Sequence, residues 1–151
     1  MYHKIVRSRI EALFAAVNRG DAVPVLEAFA GRFEHRFLGE DHALSGSRTS
    51  LETTREWYGR LYRLLPDLHF DLENIAVSGT PWNTVVVVDW LETNSGTDGV
   101  RTWNRGFHVA HIAWGKVTRL LICPDTKGLK ATLDRLFVAG NAEAHAAPIT
   151  G

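Results

Sequence analysis

The dominant hydrophobic period of this chain changes at Pro66-Asp67. Before that point apolar residues recur at helical spacing. Val6, Ile10, Leu13, Phe14 and Val17 stand at i, i+4, i+7, i+8 and i+11, and Leu51, Trp57, Tyr58, Leu61, Leu64 and Leu65 form a second stripe. After it the spacing is two: Leu68, Phe70, Leu72 and Ile75 suggest one strand, and Val85 to Thr93, Arg101 to Ala113 and Val117 to Cys123 three more. Helices grouped early and strands grouped late do not suit the alternating units of a parallel sheet. They predict an α+β domain with helices packed on one face of an antiparallel sheet.

One strand interrupts the helical half. Phe33, His35 and Phe37 alternate with Arg32, Glu34 and Arg36, so Arg32 to Leu38 reads as a half-buried strand with a histidine on its apolar face. Gly20 closes the first helix, Asp21 caps a short second one with Pro24 in its first turn, and Gly39 to Ser50 reads as a loop. Thr49 and Glu52 have capping-box spacing, which starts the third helix near Ser50. Turns at Gly79-Thr80-Pro81, Asn94 to Gly99 and Trp114-Gly115-Lys116 separate the late strands. Asp125 caps a last helix carrying Leu129, Leu133, Leu136 and Phe137. Residues 1–140 are expected to form one domain, and the Ala-rich residues 141–151 a tail that is loosely held or lies along a partner subunit.

Charge removes whole classes of partner. Lys+Arg and Asp+Glu number 17 each, and no basic run exists, so neither nucleic acid nor an anionic membrane surface is expected. The longest apolar run, Val85 to Val88, is far short of the ~20 residues that span a bilayer. The start runs directly into an amphipathic helix without the apolar core of a secretory signal, and a single cysteine, Cys123, excludes an internal disulfide. A cytoplasmic location is the expectation.

A sheet curved around a long helix leaves a cavity at its open end, a default ligand site. Counting by twos from His108 gives Thr102, Asn104, Gly106, Ala110 and Ile112, a small or apolar face looking into that cavity, and His35 lies on the corresponding face of the first strand. Imidazoles in an apolar cavity can donate, accept or act as a base near neutrality. The catalytic candidates are therefore His108 and His35, with Asn104 as a donor. Phe33, Phe37, Trp57, Tyr58, Tyr62, Asp89 and Trp90 are candidates to line or close the pocket. Each has a plainer reading. An inward histidine is often a core residue satisfied by backbone, the Trp57/Tyr58 stripe is often core, and Asp89 is either a pocket carboxylate or a surface charge.

Other signals fail on geometry. His108 and His111 are three apart on a strand and face opposite ways, so no metal site is expected there. Gly115-Lys116 lacks the rest of a phosphate loop, and Ser45-Gly46-Ser47 lacks the spacing of a nucleophile elbow. Trp103, Arg105, Phe107 and Val109 share the face opposite His108, and this outer row predicts a homodimer.

The segments Ala16-Val-Asn-Arg-Gly-Asp21, Phe33-Glu-His-Arg-Phe-Leu-Gly39 with Leu44-Ser-Gly46, and Trp103-Asn-Arg-Gly-Phe-His108 leading to Gly115-Lys-Val117 and Pro124-Asp-Thr126 resemble the nuclear transport factor 2-like superfamily. The SnoaL-like and ketosteroid-isomerase-like branch is the nearest, and the likeness covers about residues 5 to 137. The resemblance implies a cystatin-like cone of curved antiparallel sheet wrapped around a long helix, with an internal pocket for a small hydrophobic ligand and dimerisation through the outer sheet face. It also implies isomerase, cyclase, dehydratase or hydrolase chemistry without metal or organic cofactor, or else a non-catalytic binder or scaffold.

The familiar catalytic sets are not carried over. The isomerase base falls at Phe37, the phenol at Leu13 and the protonated acid at His108. The cyclase base falls among Leu120, Leu121 and Ile122, and the epoxide-hydrolase Arg at Val87, two residues before Asp89. A histidine-based site is what remains.

Overall fold

Trp114 and Gly115 both adopt positive φ, 51° and 78°, the geometry of a two-residue primed turn whose twist matches the strands it joins. It links β5 (Thr102–Ala113) to β6 (Lys116–Pro124), and a turn at Pro81-Trp82 links β3 (His69–Thr80) to β4 (Asn83–Asn94). These strands are the long half of a curved, unclosed six-stranded sheet in the order β2-β1-β6-β5-β4-β3. The computed structural model describes Met1–Gly151 throughout.

The remaining elements are α1 (Tyr2–Asn18), α2 (Val23–Ala28), β1 (Phe29–Phe37), β2 (Gly46–Arg48), α3 (Leu51–Leu64), α4 (Thr126–Val138) and a short 3₁₀ turn over Ala142–His145. α1 buries Val6, Ile10, Phe14 and Val17, the stripe read from the sequence, against the concave face of the sheet. α3 buries Trp57, Tyr58, Leu61 and Leu64 into the same core, whose 30 residues form one contiguous cluster. A bulge between Leu72 and Asn74 on β3 keeps Phe70, Leu72 and Ile75 on the core side despite their uneven spacing.

Four expectations need correction. The sheet is not antiparallel throughout, because β1 runs parallel to its neighbour β6, with His35 opposite Leu120 and Phe37 opposite Ile122. The Gly39–Ser50 segment is not all loop: Gly46–Arg48 forms the edge strand β2 on β1, pairing His35 with Arg48. Helix caps also shift. Ser50, rather than Thr49, caps α3 by accepting from the Thr53 N–H at 3.2 Å, and Ala22 stands at the N-cap of α2, while Asp21 just before it supplies the side-chain acceptor for the Val23 N–H at 3.0 Å. Asp125 does cap α4, accepting from the Gly128 N–H.

The tail, read as loosely held or lying along a partner subunit, is tied to its own chain. Ala144 is buried, Glu143 bridges Arg60 and Arg63, and Arg60 donates to the Ala147 carbonyl at 2.7 Å. Arg48 holds the Ile149 carbonyl, and the Gly151 carbonyl accepts from the Thr49 and Ser50 N–H groups. No helix is long and apolar enough to cross a membrane.

Candidate functional site

The concave face encloses a cavity of about 80 Å³, well above the ~10–15 Å³ that admits a single water. Its 18 lining residues include 17 hydrophobic ones, among them Phe14 of α1, Phe29 and Phe37 of β1, and Trp57 and Tyr58 of α3. His108 of β5 is the exception, and it brings an imidazole to an otherwise apolar wall.

The state of that imidazole is fixed by its neighbour. The Trp90 indole N–H donates to His108 Nδ1 at 2.7 Å, and an indole nitrogen can only donate. Nδ1 therefore carries a lone pair, and in the neutral ring the proton sits on Nε2. Burial pushes the pKa down to about 3, so the ring is neutral throughout the physiological range. Phe14 packs edge-on against it with ring centroids 4.9 Å apart, and Phe70 at 5.7 Å. Gly106 makes the Trp90 contact possible. A Cβ there would lie 2.7 Å from Trp90 Cη2 and collide with the Cys123 carbonyl, so the indole can cross this strand only over a glycine.

His35 repeats the arrangement on β1. Arg48 Nε donates to His35 Nδ1 at 3.1 Å, which again places the proton on Nε2. Burial first, then the Arg48 charge and more weakly His108, hold His35 well below its ordinary pKa. Arg48 is itself fully buried and also donates to the Ser45, Gly46 and Ile149 carbonyls. The cost of burying its guanidinium lowers its pKa to about 10, which still leaves it charged. His35 does not border the cavity directly. It lies behind Phe29, Trp57 and Tyr58, whose rings pack edge-on to it at 6.2, 4.6 and 5.4 Å.

Among the other expected site residues, Phe37, Trp57 and Tyr58 line the cavity, as read from the sequence. Four do not. Asn104 is spent on structure: its amide donates to the Asp125 carbonyl and accepts from the Asp125 N–H, both at 3.0 Å, and so anchors the start of α4. Asp89 is exposed on the outer face, beside Phe107 of β5. Tyr62 donates its hydroxyl to the Val17 carbonyl at 3.2 Å, closing the end of α1. Phe33 stacks on Phe29 at 4.3 Å, one layer behind the wall. Trp90 too stands behind the lining, where it orients His108 rather than meeting a ligand.

The residues that sequence reading missed are Arg48, Gly106 and Glu92. Glu92 is buried on the inner face of β4, where it accepts from Asn94 at 2.8 Å, and burial lifts its carboxyl to about 7. It does not line the cavity. No group of three His, Cys, Asp or Glu side chains is arranged to hold a metal ion.

Comparison with known proteins follows the same outline. Residues 10–120 match the SnoaL-like domain. No curated protein matches the chain. Among solved structures, PrhC from Penicillium brasilianum NBRC 6234 superposes with a TM-score of 0.80 at 11% identity, covering 96% of both chains. An NTF2-like protein of unknown function from Burkholderia pseudomallei K96243 gives 0.75 at 15% identity, covering 83% of this chain and 95% of its own. A candidate SnoaL-like polyketide cyclase from Jannaschia sp. CCS1 gives 0.61 at 16% identity, covering 93% and 92%. At such identities the likeness is one of fold.

Proposed function

The chain belongs to the SnoaL-like domain family, and from that membership we propose that it binds a small, largely apolar molecule through one acceptor oxygen, held by His108 Nε2–H. The observation that carries this reading is the Trp90–His108 hydrogen bond, which leaves the only imidazole on the cavity wall with a fixed donor and no free lone pair. A carbonyl oxygen is the matching group. In a dry cavity a hydrogen bond to it is strong, and an analogue without the oxygen leaves the buried N–H unpaired.

The same geometry supports a second, narrower reading as an enzyme. A neutral imidazole donor in a water-poor site polarises a carbonyl as a preorganised electrophile. The base that isomerase, cyclase, dehydratase or hydrolase chemistry needs is not on the wall, since neither a carboxylate nor an imidazole lone pair borders the cavity. Any reaction here must draw that base from the substrate or from solvent. Binding is thus the primary reading.

The exposed Trp103 and Phe107 on the outer sheet face support a homodimer as the working assembly. Calorimetric titration with acetophenone and ethylbenzene tests the binding reading. Acetophenone is expected to bind more tightly, and His108→Phe to erase the difference; equal affinity for the two in the unaltered protein overturns it.

A further inference from the structure

His35 Nε2 is the one buried side-chain nitrogen or oxygen in the molecule without a hydrogen-bond partner. It carries the proton, because Arg48 occupies Nδ1. A buried donor left unpaired is costly, and native structures tolerate few of them. The two nitrogens of an imidazole point away from one another. With Nδ1 given to Arg48, the Nε2–H points away from that guanidinium, and the rings packed around His35 are Phe29, Trp57 and Tyr58 of the cavity wall.

The three rings of that wall are held unequally. Trp57 donates its indole N–H to the Leu44 carbonyl at 2.8 Å, and Phe29 is stacked on Phe33. Tyr58 borders the cavity, and its hydroxyl makes no hydrogen bond, so a rotation of this ring sacrifices no polar contact. Of the three, Tyr58 is the ring whose displacement from its packing on Trp57 opens the way from the cavity to His35 without breaking a hydrogen bond or a stacked pair.

We propose that His35 Nε2–H, reached by displacement of Tyr58, is a second hydrogen-bonding subsite of the same cavity, and that the ligand carries two acceptor oxygens at opposite ends of an apolar body. This rests on the one-point reading of His108 given above. The register sets the scale. His35 lies opposite Leu120, Leu120 opposite Ala110, and Ala110 is two residues from His108 on the same face. Two strand spacings of ~4.8 Å and two residues of ~3.3 Å put the two histidine backbones about 12 Å apart, with both side chains projecting into the concave side. A flat aromatic ring with a carbonyl at each end suits that span. A compound with a single oxygen leaves one of the two donors unpaired.

Calorimetry with acetophenone and 1,4-diacetylbenzene separates the two subsites. The diketone is expected to bind about three- to tenfold more tightly than acetophenone, the worth of one added net hydrogen bond. His35→Phe should erase that margin and leave acetophenone binding intact. If acetophenone binds no better than ethylbenzene, the one-point reading fails, and this one with it. If the diketone binds no better than acetophenone, or keeps its advantage in H35F, the second subsite alone is overturned. Should H35F fail to fold, nitrogen-15 NMR of the unaltered protein decides. The His35 Nε2–H resonance is expected to move with the diketone and not with acetophenone, and an unmoved resonance in both cases overturns the subsite.

Discussion

Replacing Glu92 by glutamine should expose a pH dependence that the unaltered protein conceals. His108, pushed down to about 3 from 6.5, takes up its proton in the unfolded chain but not in the folded one between those pH values. Stability from this group is complete above pH 6.5 and is lost as pH falls. Over the two units from 6.5 to 4.5 the loss is about 3 kcal/mol. Glu92, raised to about 7 from 4.5, has the opposite sign. Its folded form holds a proton that the unfolded chain has released, so its contribution is complete below pH 4.5 and is lost as pH rises through 7. Over that window it amounts to about 3 kcal/mol. Both groups are nearly fully buried, so solvent screening takes little from either figure. The two terms offset each other in the same window, leaving His35 and His42, together with Asp67, Asp98 and Glu143, whose pKa values are also lowered, to set the residual acid sensitivity.

Glu92→Gln removes one side of that balance while keeping an oxygen to accept from Asn94. Guanidinium unfolding followed by tryptophan fluorescence at pH 7.0 and 4.5 gives a stability change for each protein, and all groups common to both cancel in the comparison. The variant is expected to lose about 3 kcal/mol more than the unaltered protein on going to pH 4.5. A difference below about 1 kcal/mol would refute the assignment of Glu92 as a carboxyl held protonated by burial.

Three further substitutions probe the scaffold behind the cavity. Trp90→Phe keeps the ring but leaves His108 Nδ1 without its donor, which should cost about 1–3 kcal/mol in chemical denaturation and let both tautomers appear by nitrogen-15 NMR. Gly106→Ala drives a methyl into the Trp90 indole and the Cys123 carbonyl, so a loss of at least about 2 kcal/mol is expected; a thermal midpoint equal to that of the unaltered protein would contradict the packing. Arg48→Lys cannot serve four acceptors with one ammonium, and should both destabilise the fold by about 3 kcal/mol and release the last five residues to limited proteolysis.

What the sequence discloses divides along physical lines. The stripes of α1 and α3 and the alternation of β1 are local periodicities, and periodicity of this kind suffices to put His35 and His108 on the inner face. The parallel pairing of β1 with β6 joins residues some 85 positions apart, as Glu34 and Arg119 are, and leaves no local trace. β2 is three residues long, too short to show a period, so Arg48 is hidden in a segment that reads as loop. Asp89 follows four consecutive valines that are buried or half-buried on both faces, which erases the alternation that would have shown its direction. Asn104 takes the face that alternation predicts but a different task, because its partner Asp125 lies 21 residues away beyond a turn.

The inward histidines change meaning for the same reason. Counted along the strands, they are two groups able to gain or lose a proton near neutrality, a natural pair for acid-base work. In the fold each is met at Nδ1 by an obligate donor, Trp90 on one side of the site and Arg48 on the other, and each is buried. Those two donors come from different strands and have nothing in common chemically, yet they impose the same tautomer. The proton of each ring is thereby fixed on Nε2, His108's at the cavity wall and His35's behind it, and the lone pairs that a base requires are consumed outside the cavity. Under the binding reading proposed above, a site built this way favours acceptors and rejects donors and cations. Its selectivity therefore follows from the positions of Trp90 and Arg48 as much as from the histidines themselves.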